Sequence, residues 1–370
     1  MSRDIYLDYN ATTPLRPEAL AAMTAALAET GNASSVHRFG RRARKRVEDA
    51  REAVAALTGA APTAVVFTSG GTEANNLALA GAGRERLLVS DIEHDSILAA
   101  APAAERIPVG PDGVVRLDAL AALLQADRRP ALVAVMLANN ETGVEQPLAE
   151  LVELAHAHGA LVHADAVQAA GKIRIDFTTL GADLMALSAH KLGGPQGVGA
   201  LLLREGLAIA SQLKGGGQER GLRAGTENVA GIAGFGAAAK AAREGLPGYA
   251  RLAALRGRLE EGIEALSLAT RFFGREGPRL ANTSCFTMPG VASETQLIAL
   301  DLAGIGVSAG SACSSGKVRP SHVLRAMGAS EAEASSAIRV SLGWLTRPEE
   351  IERFIEAWGT LYNRLGAKAA

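Results

Sequence analysis

A lysine directly behind a buried strand is the first residue in this chain that invites chemistry. Asp183-Leu184-Met185-Ala186-Leu187-Ser188 reads as a strand, Ala189-His190-Lys191 follows, and Leu192-Gly193-Gly194-Pro195 breaks the chain. A lysine at a strand's carboxyl end stands at the edge where α/β proteins place ligands, and its amine can form a Schiff base with a carbonyl. On this segment alone it reads as readily as a surface lysine in a loop. Asp165 closes a second strand, Leu161-Val162-His163-Ala164-Asp165, and Gln168 follows three residues on. A carboxylate there can keep a pyridinium nitrogen protonated, and it can equally cap a strand-to-loop junction.

Phe67-Thr68-Ser69-Gly70-Gly71-Thr72-Glu73-Ala74-Asn75 ends a strand in two glycines and a threonine and opens a helix. Backbone N–H groups and the helix dipole make such a turn a cup for phosphate, or simply a well-capped helix start. It is neither a P-loop nor G-x-G-x-x-G, which speaks against nucleoside triphosphates and dinucleotides. His94 follows the strand-like run 86–89, where an imidazole can stack on a planar cofactor, move protons, or sit as an ordinary loop residue. Cys313 lies among small residues with Lys317 four positions on, a setting in which a cation favours the thiolate. Cys285, in Thr283-Ser284-Cys285-Phe286, reads instead as a core thiol. His156, His158 and His163 invite a metal, but no acid or cysteine completes a plausible ligand spacing, so no resident metal is expected. A lysine, an aspartate and a phosphate cup, each at a strand's carboxyl end, together form the parts list of a pyridoxal phosphate (PLP) site.

The elements that must position these residues alternate. Short apolar runs at 64–67, 86–89, 131–137, 161–164, 183–187 and 198–203 read as buried strands. Helical patterns lie between and before them: Ala43, Val47, Ala50, Val54 and Leu57 make one apolar stripe, and 148–158 is another helix. This predicts an α/β fold, a mostly parallel sheet covered by helices. After residue 205 the pattern changes. Helices at 229–245 and 249–266, a strand at 282–288, a helix at 294–302, a strand at 338–342 and a helix at 347–365 predict a smaller α+β domain. The division expected is a large domain over 16–255 and a small one built from 1–15 and 256–370.

Composition removes other classes. The 370 residues carry 38 Lys plus Arg against 39 Asp plus Glu, a net charge of −1, which leaves no global footprint for nucleic acid. At 48 % hydrophobic and 21 % charged residues the chain can bury a sizeable core. No apolar run reaches the ~18 residues of a membrane span, and the first eight residues hold two acids and no apolar stretch, so no secretory signal is expected. Two cysteines make no disulfide framework, and a reducing, cytoplasmic setting follows.

With these residues in view the chain resembles the cysteine desulfurases of the NifS/IscS type, within the class V, fold-type I PLP enzymes. The matching segments run in order from end to end: 6–14, 67–75, 139–143, 163–168, 188–191, 215–221, 223–228, the Cys313 loop and 338–343. The resemblance implies conversion of L-cysteine to L-alanine, with the sulfur held as a persulfide on the enzyme. A sulfur-acceptor protein, either an iron–sulfur scaffold or a thiolation enzyme, then receives it. By the same resemblance Lys191 is the cofactor lysine, Asp165 the partner of the ring nitrogen, Gln168 the donor to the ring hydroxyl, and His94 the ring-stacking acid/base. Gly71, Thr72, Ser188 and His190 match phosphate positions. Thr226 matches a phosphate contact reaching in from the second subunit of a homodimer. Asn140 and Arg339 match groups that hold the substrate and its carboxylate, and Cys313 the nucleophile and a transient iron–sulfur ligand. Two departures stand out: Leu192-Gly193-Gly194-Pro195, where an aromatic before Gly-Pro is frequent, and Gly71, where alanine is common. The chain stops at Ala370, soon after the last expected helix, whereas longer members continue into an apolar tail that docks a scaffold protein, so whether this chain makes that contact stays open. Two rival readings are another class V enzyme, such as a selenocysteine lyase or a small-amino-acid aminotransferase, and a non-catalytic assembly partner. The Cys313 loop argues against the first. The joint presence of Lys191, Asp165, His94, Gln168, Arg339 and Cys313 argues against the second.

Overall fold

The computed structural model describes residues 4–310 and 320–366. In chain order the strands are β1 (Ile5–Tyr6), β2 (Val65–Thr68), β3 (Arg86–Ser90), β4 (Glu105–Ile107), β5 (Ala131–Met136), β6 (Leu161–Asp165), β7 (Leu184–Ser188) and β8 (Gly199–Leu203). They continue as β9 (Thr283–Thr287), β10 (Ile305–Gly306), β11 (Ser308–Ala309) and β12 (Ala337–Ser341). Seven form one sheet in the order β2-β8-β7-β6-β5-β3-β4. Pairing is parallel from β4 through β3, β5 and β6 to β7, while β8 runs antiparallel to both its neighbours. Only ten residues link β7 to β8, too few for a crossover helix, so the chain turns back as a hairpin. That hairpin carries Lys191. The expected mostly parallel sheet is therefore present, with this one reversal.

Every residue of β5, β6, β7 and β8 is buried, which explains their unbroken apolar runs. Alternate side chains feed two cores: Val133, Val135, Met185 and Leu187 on one face, and Leu132, Ala134, Leu184 and Ala186 on the other. The first face is covered by the helices Arg38–Thr58 and Val229–Tyr249. The former buries the predicted stripe of Ala43, Val47, Ala50, Val54 and Leu57 and ends in a left-handed Gly59. The two helices approach closely at Gly236, where an added Cβ would come within 2.5 Å of the Ala50 Cα. The second face is covered by the helix Gly71–Gly81.

A separate core holds Phe286, Phe354 and Trp358, packed edge-on with centroids 6.3 Å apart, together with Ile338 and Val340 of β12. It is built on the antiparallel sheet β11-β12-β9 and the parallel pair β1-β10. The helices Leu252–Leu266 and Pro348–Leu361 close it. Ile5 and Leu7 belong to this core, as do Tyr249, Leu252 and Leu255, whereas Ala242 still belongs to the first. The last helix ends at Leu361, short of the expected 365, and continues as a single wide turn over Tyr362–Gly366. Between the cores the chain from Tyr9 to Thr13 crosses from β12 to the Lys191 turn: Tyr9 N–H donates to the Ser341 carbonyl and Thr13 N–H to the His190 carbonyl. Among the described residues no helix is long and apolar enough to cross a membrane.

Candidate active site

One cavity of about 320 Å³ gathers most of the predicted residues: Gly71, Thr72, His94, Asn140, Asp165, Gln168, Ser188, His190, Lys191 and Arg339 all line it. It opens at the carboxyl ends of β6 and β7. The Lys191 Nζ is held by two backbone carbonyls, those of Asn10 and, at 2.9 Å, Ala11. Neither is a charged partner. Burial, helped by the Arg339 guanidinium, lowers the Lys191 amine to about 8, with Asp8 and Asp165 opposing. An amine so held is partly neutral near pH 7 and can attack a carbonyl.

Asp165 is the last residue of β6, and both its oxygens are anchored. Oδ1 accepts the Val167 N–H at 2.9 Å and Oδ2 accepts from Asn75 Nδ2 at 2.8 Å. Asn75 Oδ1 in turn faces His163 Nε2 at 2.8 Å, so that nitrogen carries the ring proton. Burial pushes His163 down to about 4, leaving it neutral beside the carboxylate. The three histidines that invited a metal go to separate partners: His163 to Asn75, His156 to Asp183 and His158 to the Leu154 carbonyl.

The helix Gly71–Gly81 points its N-terminus at the cavity, and its N-cap residue Gly70 supplies no side-chain cap. A Cβ on Gly71 would stand 2.8 Å from Val167 Cγ2, so glycine keeps this mouth open. Ser188 and His190 border the same region. His190 Nδ1 meets Thr12 Oγ1 at 3.1 Å, and burial next to Lys191 lowers it to about 4. Open helix N–H groups with a hydroxyl beside them suit an anion. His94 caps the short helix Asp95–Leu98: its Nδ1 accepts the Ser96 N–H at 3.1 Å, which puts its proton on Nε2.

Arg339, in β12 and only 2 % exposed, does not wait unpaired for a ligand. Its Nη2 donates to Asp8 Oδ1 at 2.7 Å and its Nη1 to the Asn140 carbonyl at 3.0 Å, while Nε has no partner among the described residues. Thr226 stays apart from these residues: it is exposed and does not line this chain's cavity. Cys313 lies outside the described residues. Near the two ends of the stretch around Cys313, Gly310 and Ser321 both lie against the buried Glu141, which lines the cavity and whose Oε2 accepts from Ser321 Oγ. Burial pushes the Glu141 carboxyl up. Cys285 is fully buried in β9, and burial pushes its thiol well up, which makes it inert.

Asn75, Asn10, Glu141 and Lys172 carry no role that local sequence signals, and His163 signals there only a metal candidate. One signal was available, since His163 and Asp165 are two apart on a strand and must share a face. As a set, the residues fit PLP. An uncapped helix start suits the phosphate, an anchored carboxylate the ring nitrogen, an amide donor the ring oxygen, and a part-neutral lysine the aldehyde.

Comparison with known proteins places the chain in a family. The family model Aminotransferase class-V matches residues 5–354. A cysteine desulfurase of Cereibacter sphaeroides is 46 % identical over 378 residues, covering 98 % of this chain and 97 % of the relative. The solved structure of a NifS-like protein from Rickettsia africae superposes with a TM-score of 0.92 at 36 % identity, covering 98 % of this chain and all of that one. A second solved structure, SspA in complex with cysteine, superposes with a TM-score of 0.78 at 30 % identity, covering 91 % of this chain and 98 % of that one.

Proposed function

The chain belongs to the class V aminotransferase family and is a cysteine desulfurase; on that premise we propose that it binds PLP at Lys191 and moves the sulfur of L-cysteine onto Cys313. What supports the reading is the convergence of Lys191, Asp165, Gln168, the Gly71–Thr72 helix start and Arg339 on one cavity. Bound there, PLP supplies an electron sink that makes the substrate's Cα proton acidic.

The chain's own residues do the rest. Lys191 Nζ, close to half-neutral at pH 8, takes the Cα proton and returns one. Asp165 holds the ring nitrogen's positive charge, and its anchors at Val167 and Asn75 stop it from turning away. Arg339 and Asn140 orient the substrate carboxylate, a charge-assisted pairing. His94 partners Lys191 in proton movement. The Cys313 thiolate attacks the substrate sulfur: an S–S bond forms, the Cβ–S bond breaks, and the carbon takes up a proton. Cysteine plus enzyme thiol thus give alanine plus enzyme persulfide with no outside oxidant. Thr226 contributes to the partner's phosphate site in a homodimer. An acceptor protein, an iron–sulfur scaffold or a thiolation enzyme, draws off the persulfide sulfur. The setting is the reducing cytoplasm, where the thiol is regenerated.

The test is Lys191→Ala. Purified with PLP, it is expected to lack the visible band of covalently held cofactor and to make no alanine from L-cysteine. Substantial alanine from that variant overturns the reading.

A further inference from the structure

Lys172 is buried, makes two side-chain hydrogen bonds and is absent from the cavity wall. Its Nζ donates to Asn10 Oδ1 at 2.6 Å and to Gln168 Oε1 at 2.7 Å. We propose that Lys172 is a positioning residue that fixes the Gln168 side chain as a hydrogen-bond donor toward the cofactor. A lysine nitrogen offers protons in either charge state here, because both of its partners are acceptors. With Oε1 taken by Lys172, Gln168 Nε2 donates to the Asn10 carbonyl at 2.9 Å. One N–H of that amide is left, and Gln168 lines the cavity.

Turning the amide over would set its NH₂ against the Lys172 nitrogen and its oxygen against the Asn10 carbonyl. The oxygen-to-oxygen contact is unmade whatever the charge of Lys172, and the contact to an ammonium, which has no lone pair, is unmade with it; in a buried site that is costly. Without Lys172 only the Asn10 carbonyl would select the orientation. Asn10 itself is held from the far side by Asn282 Nδ2 on its Oδ1 at 3.0 Å and by its own Nδ2 on Thr283 Oγ1 at 2.9 Å. The same lysine therefore ties the cofactor amide to the chain segment that crosses between the two cores. The charged groups around it are Lys191 and Arg339, both cations, with Asp8 and Asp165 facing Lys191.

This inference rests on PLP binding at Lys191, and its test separates the two. The readout is the pH midpoint of the visible absorption band of the PLP-loaded protein. A donor to the ring oxygen favours its anionic form, so losing the donor raises the midpoint. Gln168→Leu is expected to raise it by about one pH unit. Lys172→Met is expected to raise it in the same direction. In the double variant the midpoint should match Gln168→Leu alone, because Lys172 acts through Gln168. If Lys172→Met does not fold, Lys172→Gln is the second variant. It keeps a buried donor too short to reach both acceptors, and it should also raise the midpoint on the wild-type background but not on Gln168→Leu. Additive shifts would make Lys172 a direct electrostatic influence and overturn the inference, as would an unchanged midpoint in the lysine variants. A wild-type protein with no visible band after PLP addition would instead overturn the cofactor reading.

Discussion

Lys191 shows how a residue's surroundings set its chemistry. Its ordinary value would leave well under a thousandth of the amine neutral at pH 7, while a value of about 8 leaves roughly a tenth. The rate at which apoprotein captures PLP should therefore climb with pH and level off just above 8. A stopped-flow record of the visible band checks this, and a rate still rising tenfold per unit at pH 9 to 10 would contradict it. Arg339 adds a second expectation. Since Asp8 and the Asn140 carbonyl already hold the guanidinium, the substrate carboxylate meets a fixed partner. Arg339→Ala gives up a charge-assisted pair worth roughly 1.5–3 kcal/mol, and kcat/KM should fall at least ~10-fold. An unchanged kcat/KM would reduce Arg339 to a structural ion-pair residue. Lys191, Asp165 and Gln168 were legible in the sequence because each follows an apolar run closely. Asn10, Asn75 and Lys172 were not. Asn10 and Asn75 reach partners as far as 272 and 90 residues away, and Lys172, which acts on Gln168 only four residues before it, takes its second anchor from Asn10, 162 residues away. No local pattern encodes such pairings.

Elements were more readable than their directions. The strands and the helix Arg38–Thr58 follow from apolar runs and a stripe, because burial on two faces or on one leaves those two signatures. The reversal at β8 was invisible, since a buried strand reads the same in either direction. The link of ten residues between β7 and β8 holds the clue, being too short for a crossover helix, but Gly-Gly-Pro by itself signals a loop and not a strand direction. Gly236 offers a test of the helix packing that supports the sheet. By helix propensity alone, Gly236→Ala should stabilise the chain by a few tenths of a kcal/mol or more. Here the new methyl meets the backbone of Ala50, which cannot move aside as a side chain can. Overpacking of this kind costs about 1–3 kcal/mol, so the urea midpoint should fall. A raised midpoint would contradict the close approach of the helices Arg38–Thr58 and Val229–Tyr249.

At the scale of the molecule the site lies between two cores joined by the crossing segment around Asn10. In the proposed homodimer, Thr226, exposed here and outside its own cavity, would reach the partner's phosphate site. Sedimentation should report about twice the 38.1 kDa of one chain. Thr226→Ala should weaken PLP retention roughly 10-fold, as expected for one hydrogen bond to a charged group. A fully active monomer would contradict both. The central claim is that one thiol of this chain takes the substrate's sulfur. Cys285 is buried and inert, so Cys285→Ser should still form persulfide at close to the wild-type rate. The most direct measurement is a single turnover of the PLP-loaded protein with L-cysteine, quantifying alanine and mapping the sulfur by peptide mass spectrometry. One persulfide on Cys313 for each alanine formed is the predicted result. Alanine with the sulfur on Cys285, or released as sulfide with none on the protein, would contradict it.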